Sequence, residues 1–297
     1  MDLDLDYEPR ARKVKLSTPT GDGEVALLDF GPQDRAPDVV FLHANGFNAR
    51  AYRTILAPLA GSLRILAPDQ RGHGATRLPT DRPRTSWLDL KDDLLALIEA
   101  LGLERVALAG HSMGATASLL AAAERPERAR ALALFDPVIL PEARAGGEGG
   151  AVTQTSPLVQ GALRRRRQFV SRTAAADAYR GRGAFRTWTE AMLQDYVAAG
   201  FVDRPDGTVE LACAPEWEVS NYVNQAHDSW GAFARTRRPV RIFRAEIDSP
   251  GRLDGRVEEI IRSGLISVET VPGTTHFLPM ERPELVREAI GWAAGVS

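Results

Sequence analysis

The sequence predicts an α/β fold: a mostly parallel sheet flanked by helices and interrupted by a helical cap. Three observations carry this. Short apolar runs alternate with helical stretches up to residue 136, the same rhythm returns at residue 239, and the residues between lack it. With 297 residues, 44% hydrophobic and 26% charged, the chain is long enough to bury one large core.

Taken in order, the expected strands are residues 24–30, 38–43, 63–68, 104–109 and 130–135. Between the third and fourth, residues 85–101 place Leu90, Leu94, Leu97 and Leu101 on one stripe of a helix, which should pack on the sheet. Residues 113–123, rich in Ala and Leu, should form a second helix directly after the fourth strand. The insertion, residues 138–235, opens with a flexible glycine-rich stretch at 143–150 and continues with helical, aromatic-bearing segments. The core then resumes with a strand at 239–244, a helix at 252–263, a strand at 266–271 and a closing helix at 283–293. The expected division is therefore a core of residues 1–137 and 236–297 around a cap of 138–235, with no internal repeat.

Composition narrows the function. Lysine plus arginine number 37 against 39 aspartates and glutamates, a net charge of −2, so no global basic field holds nucleic acid or an anionic membrane. Residues 1–6 are acidic where a secretory signal would be cationic and then apolar, and no run of about 18 apolar residues is present, so a cytoplasmic location is expected. Cys213 is the single cysteine. An internal disulfide is thus impossible, and Cys213 reads as a small buried apolar residue rather than a zinc ligand.

The stretch that carries chemistry is Gly110-His111-Ser112-Met113-Gly114, between an apolar run and a helical one. A serine between two spaced glycines at a strand-to-helix turn is a nucleophile elbow: the turn is sharp enough to leave no room for side chains two residues either side, and it projects the Ser112 hydroxyl from the sheet's carboxyl edge. Without that context the motif would be a tight turn whose serine caps the next helix.

Serine is a weak nucleophile until an imidazole takes its proton and a carboxylate holds that imidazole's tautomer. Of five histidines, His276 lies in a small-residue loop, Gly273-Thr274-Thr275-His276, directly after a strand and so on the same edge as Ser112. His73, His111 and His227 read as structural, and His43 as orienting a loop. For the acid, Asp248 follows the strand at 239–244 and completes the chain order Ser, Asp, His. Asp136 ends the strand at 130–135 on the same edge and competes with it.

Four spaced motifs together, His43-Ala44-Asn45-Gly46-Phe47, Asp69-Gln70-Arg71-Gly72-His73-Gly74, the elbow, and Gly273-Thr274-Thr275-His276, resemble the α/β-hydrolase superfamily over nearly the whole chain. The resemblance implies that the backbone amides of Asn45 and Met113 stabilise an oxyanion, and this sequence has Ala44 where glycine is usual. It also implies that epoxide hydrolases and haloalkane dehalogenases attack with an aspartate at the position of Ser112, which points away from both activities. What remains is acyl transfer to water, with no metal or organic cofactor implied.

The insertion divides by charge. Residues 164–186 hold eight arginines against Asp177 alone, whereas 190–228 hold eight carboxylates against Arg204 alone. Either the halves pair with one another, or some arginines steer an anionic substrate. Most insertion aromatics should be core, with Trp217 and Tyr222 the first candidates for lining a pocket because a Pro-bent segment carries them. The expected function is cleavage of a small-molecule carboxylic ester by a Ser-His-Asp triad of Ser112, His276 and Asp248. The alternatives are a carbon–carbon bond hydrolase, a lactonase, or a weakly catalytic ligand-binding protein. No nucleic-acid or membrane partner is expected, and homo-oligomerisation stays open.

Overall fold

The computed structural model describes residues 7–81, 86–140, 153–253 and 255–296. The chain begins with β1 (Arg10–Leu16), β2 (Gly23–Phe30) and β3 (Val39–Leu42), then a short helix α1 (Arg53–Leu56), β4 (Ile65–Pro68) and α2 (Leu88–Ala100). β5 (Val106–His111) runs into α3 (Met113–Glu124), and β6 (Ala129–Phe135) ends the first half. These β-strands join later ones in an eight-stranded sheet.

After β6 the chain leaves the sheet through α4 (Pro157–Leu163), β7 (Gln168–Phe169), α5 (Arg172–Tyr179), α6 (Glu190–Ala199), β8 (Phe201–Asp203), β9 (Val209–Leu211), α7 (Pro215–Val223) and α8 (Ser229–Arg235). It returns through β10 (Val240–Ala245), α9 (Val257–Ile261), β11 (Ile266–Val271), α10 (Leu278–Glu281) and α11 (Pro283–Ala294). The strand order is β1-β2-β4-β3-β5-β6-β10-β11, antiparallel at β1–β2 and β2–β4 and parallel from β4 onward.

The parallel centre explains the sequence pattern. Every residue of β3, β4 and β5 is buried, because helices cover both faces and neither face can be polar. α2, α3 and α8 share one apolar layer with the sheet; α1 and α11 share the other. In α11, Val286, Ala289, Ile290 and Ala293 form the buried stripe, and Gly295 in the left-handed region closes the helix end.

The differences from the sequence reading have local causes. β1 was not expected, because its four Arg and Lys residues hide the alternation; they belong to an edge strand, where charge deters pairing with another sheet. The insertion was expected to be helical, yet it also holds a three-stranded antiparallel sheet, β7-β9-β8, whose two- and three-residue strands are too short to show a period. Its last helix, α8, packs Trp230, Ala232 and Phe233 into the layer that holds α3. The helix expected at 252–263 is shorter, α9, and Gly255 with φ +72° precedes it. The glycine-rich stretch 143–150, the acidic residues 1–6 and Thr85 lie outside the described residues. Among the described residues no helix is long and apolar enough to cross a membrane.

Candidate active site

Ser112 sits between β5 and α3 with φ +55°, a left-handed conformation that L-residues rarely adopt. The flanking glycines permit the turn. A Cβ on Gly110 would stand 2.7 Å from the Gly114 carbonyl carbon, and one on Gly114 would collide with the Leu42 carbonyl of neighbouring β3. Strand, turn and helix therefore close only with glycine at both positions.

The Ser112 hydroxyl donates to His276 Nε2 at 2.9 Å, and His276 Nδ1 donates to Asp136 Oδ2 at 2.6 Å. The acid beside the imidazole is thus Asp136, not Asp248. Asp136 follows β6, fully buried, and its other carboxylate oxygen accepts the Ala245 amide at 2.9 Å and the Ser249 hydroxyl at 2.6 Å. Burial raises its pKa, but the His276 hydrogen bond and charge, with Ser249 and Ala245, outweigh burial and hold the carboxyl below its ordinary range. Asp248 shares the same sheet edge and the same left-handed backbone, φ +53° against +45° for Asp136, but its side chain is exposed on a cavity wall. Sequence order favoured Asp248; the His276 loop lands on Asp136.

The other histidines brace the site. His111 Nε2 donates to the His276 carbonyl at 2.7 Å, and its Nδ1 accepts from the Tyr52 hydroxyl at 2.7 Å. Tyr52 in turn accepts the Ala44 amide at 3.2 Å, so the loop after β3 and the loop of His276 are tied through one imidazole. His43 Nε2 accepts the Gln70 amide, and His73 Nε2 accepts the Gly46 amide. His227 stacks on Trp87 at 4.9 Å.

Burial pushes His43 down to about 4 and His111 to about 3, and lowers His227 as well. The unfolded chain therefore binds more protons than the native one below about pH 6.5, and stability is lost as pH falls from there toward 4. Asp69, raised by burial from 3.8 to about 6, acts in the opposite sense from about pH 6 down to the foot of that window, offsetting about one of the three imidazoles. We expect the melting temperature to fall between pH 6.5 and 4, and His43→Gln to flatten the fall. A melting temperature that rises steadily across this window would contradict the buried neutral state of the three imidazoles.

The two amides implied to bind an oxyanion come from different elements. Asn45 lies in the loop after β3, and Met113 opens α3. Among the described residues neither amide hydrogen is used in a hydrogen bond. Asn45 and Ser112 line a cavity of about 1240 Å³, whose walls also include His276, Phe47 and Phe277.

Of the two insertion aromatics expected at the pocket, Tyr222 lines the cavity, but Trp217 does not. The Trp217 indole donates to the Arg71 carbonyl at 2.9 Å and lies where a side chain on Gly72 would be, so it secures the turn after β4. Of the arginine run, Arg165 and Arg182 line the cavity, and Arg252, which the sequence did not single out, joins them with Glu218 and Asp248. An arginine-rich run shows charge but not which member faces inward. Among the described residues, four of the eight arginines pair with carboxylates of the other half: Arg165 with Glu218, Arg167 with Glu216, Arg172 with Asp203 and Arg180 with Glu190. Cys213 is buried, and burial raises its thiol well above the usual range. Among the described residues no group of three or more His, Cys, Asp or Glu is placed to hold a metal ion.

Comparison with known proteins agrees with this fold. A family model described as the alpha/beta hydrolase family matches residues 39–289. A 2-(acetamidomethylene)succinate hydrolase from Mesorhizobium japonicum is 32% identical over 111 residues, 37% of this chain and 38% of that protein. An epoxide hydrolase from Caballeronia sordidicola is 36% identical over 103 residues, 34% of this chain and 31% of that protein. The matched stretch thus spans about a third of the length of either curated relative. The crystal structure of an E-2-(acetamidomethylene)succinate hydrolase superposes with a TM-score of 0.74 over 97% of this chain and 100% of that one; at 20% identity this is likeness of fold.

Proposed function

The chain belongs to the alpha/beta hydrolase family, and on that footing we propose that it hydrolyses carboxylic esters of small molecules through an acyl-enzyme. The observation that carries the reading is the unbroken run of hydrogen bonds from Asp136 through His276 to Ser112, which ends on the wall of a cavity that Asn45 also lines. His276 Nε2 takes the hydroxyl proton as Ser112 Oγ bonds to the ester carbonyl carbon. The carbonyl oxygen becomes an oxyanion facing the Asn45 and Met113 amides, and Asp136 stabilises the imidazolium through Nδ1. Collapse breaks the bond to the alcohol, which leaves with the proton from Nε2. Water then gives a proton to His276, attacks the acyl carbon, and releases the acid as Ser112 regains its hydrogen. Among the relatives named above is an epoxide hydrolase, but an alcohol at the elbow rather than a carboxylate supports acyl transfer here.

The cavity favours one class of ester. Three guanidinium groups, of Arg165, Arg182 and Arg252, line it against the carboxylates of Glu218 and Asp248, and one relative is named for a succinate. The test is a turnover panel of esters, lactones and thioesters of graded acyl length, each ester as a neutral and a carboxylate-bearing pair, with mass analysis for an acyl group on Ser112. We expect acyl-Ser112 and turnover of esters. We further expect kcat/KM of the anionic member to fall as salt shortens the Debye length from about 10 Å at 0.1 M to about 3 Å at 1 M, while the neutral member is indifferent. A panel without turnover, with Ser112 never acylated, would defeat the proposal and favour a ligand-binding role.

A further inference from the structure

The loop that carries Asn45 is held by the insertion as well as by the core. The Asn45 carboxamide is gripped at both ends by α7: its Nδ2 donates to the Glu218 carbonyl at 2.9 Å, and its Oδ1 accepts from Asn221 Nδ2 at 2.8 Å. A planar group fixed at two points on one helix has a set orientation. The next residue is held by α6, where the Tyr196 hydroxyl donates to the Gly46 carbonyl at 3.2 Å. Asn48 Nδ2 donates to the Tyr196 carbonyl at 3.0 Å, so the same turn is gripped again two residues on. Arg165 then joins the two helices, donating to the Tyr196 hydroxyl at 2.6 Å and to the Glu218 carboxylate. From the core side, Tyr52 takes the Ala44 amide, His73 the Gly46 amide and Asp69 the Ala49 amide.

Apart from half-buried Arg165, these partners are buried, Asn221 fully. Hydrogen bonds in such surroundings are strong and leave a costly unpaired group when one partner is removed, so the loop follows α6 and α7 as they are placed. Gly46, at φ +72°, supplies the bend, and a side chain there would meet the Glu218 carboxylate at 2.8 Å. Loop and insertion are in contact without a gap.

We propose that the insertion is part of the oxyanion site, with Asn221 as a positioning residue that acts through the Asn45 carboxamide to aim the Asn45 amide, and with Tyr196 as the second support. The proposal rests on the ester-hydrolase reading for the role of that amide. Removing one oxyanion donor costs about 10²–10³ in kcat, and loosening one without removing it should cost about a tenth of that, roughly 10–100-fold. The effect should fall on kcat, since the amide meets negative charge only after Ser112 has attacked.

The experiment compares the unmodified protein with Asn221→Ala and with Tyr196→Phe, the milder variant that serves if Asn221→Ala does not fold. Three quantities are read for each: kcat and KM on the best ester of the panel, the inhibition constant of a trifluoromethyl ketone, and the rate at which a fluorophosphonate labels Ser112. The expected result is a 10–100-fold lower kcat for Asn221→Ala and a smaller loss for Tyr196→Phe, with KM within about twofold. Ketone affinity and labelling rate should weaken in step. A role in stability alone would lower the melting temperature of the folded variants and leave these ratios unmoved. If the unmodified protein is labelled and active and both folded variants keep kcat and labelling within twofold, the positioning role is wrong and the ester reading stands. If the unmodified protein is neither labelled nor active on any ester, the ester reading falls and the positioning role falls with it.

Discussion

Ser112→Ala is expected to abolish turnover while the protein folds as before. The hydroxyl is the only part of the side chain that the change removes, and its hydrogen bond goes to His276 Nε2. The backbone that holds the turn is untouched, because Ala tolerates the same φ of +55° about as well as Ser does, and Gly110 and Gly114 still supply the space. Without Oγ there is no acyl-enzyme, and loss of the nucleophile of such a triad lowers kcat by about 10⁶. The measurements are steady-state turnover, fluorophosphonate labelling and thermal melting on the same preparation. Activity above a tenth of the unmodified protein would remove Ser112 from the mechanism, and a large fall in melting temperature would mean the hydroxyl matters to the fold.

The second large effect separates the two aspartates. In Asp136→Asn the amide oxygen can still accept the Ala245 amide and the Ser249 hydroxyl, so the Nδ2 group is the one turned toward His276 Nδ1. A donor there cannot face a donor, and the imidazole must carry its proton on Nε2, where it can no longer take one from Ser112. That change is worth about 10⁴ in kcat. Asp248→Asn alters an exposed side chain on the cavity wall and should change kcat by less than about tenfold, with any effect in KM for charged substrates. Turnover and Ser112 labelling in both variants decide the matter. Should Asp248→Asn be the variant that loses four orders of magnitude, Asp136 would be a structural partner of the imidazole and no more.

Most of the sheet was legible because burial on both faces leaves the central strands no choice but continuous apolar runs, as in Val106-Ala107-Leu108-Ala109. The elbow was legible for a steric reason: few sequences satisfy that turn, and glycines two residues either side of a serine mark it. His276 followed from its place after β11. Charged edge strand β1 and the brief strands β7, β8 and β9 gave no period to read.

By itself, then, the sequence determined seven of the sheet's eight strands and which of its ends bears Ser112 and His276, since both depend on local pattern and on strands that run the same way. It did not determine which of two aspartates meets the imidazole. Asp136 and Asp248 stand at neighbouring strand ends, both with left-handed backbones, and the choice rests on where a loop 28 residues beyond Asp248 comes to lie. Nor did it reveal that Trp217 secures a turn while Arg165 reaches the cavity, or that Asn221 grips Asn45. These are pairings between residues up to 176 positions apart, and only packing the insertion onto the sheet brings them within hydrogen-bond reach.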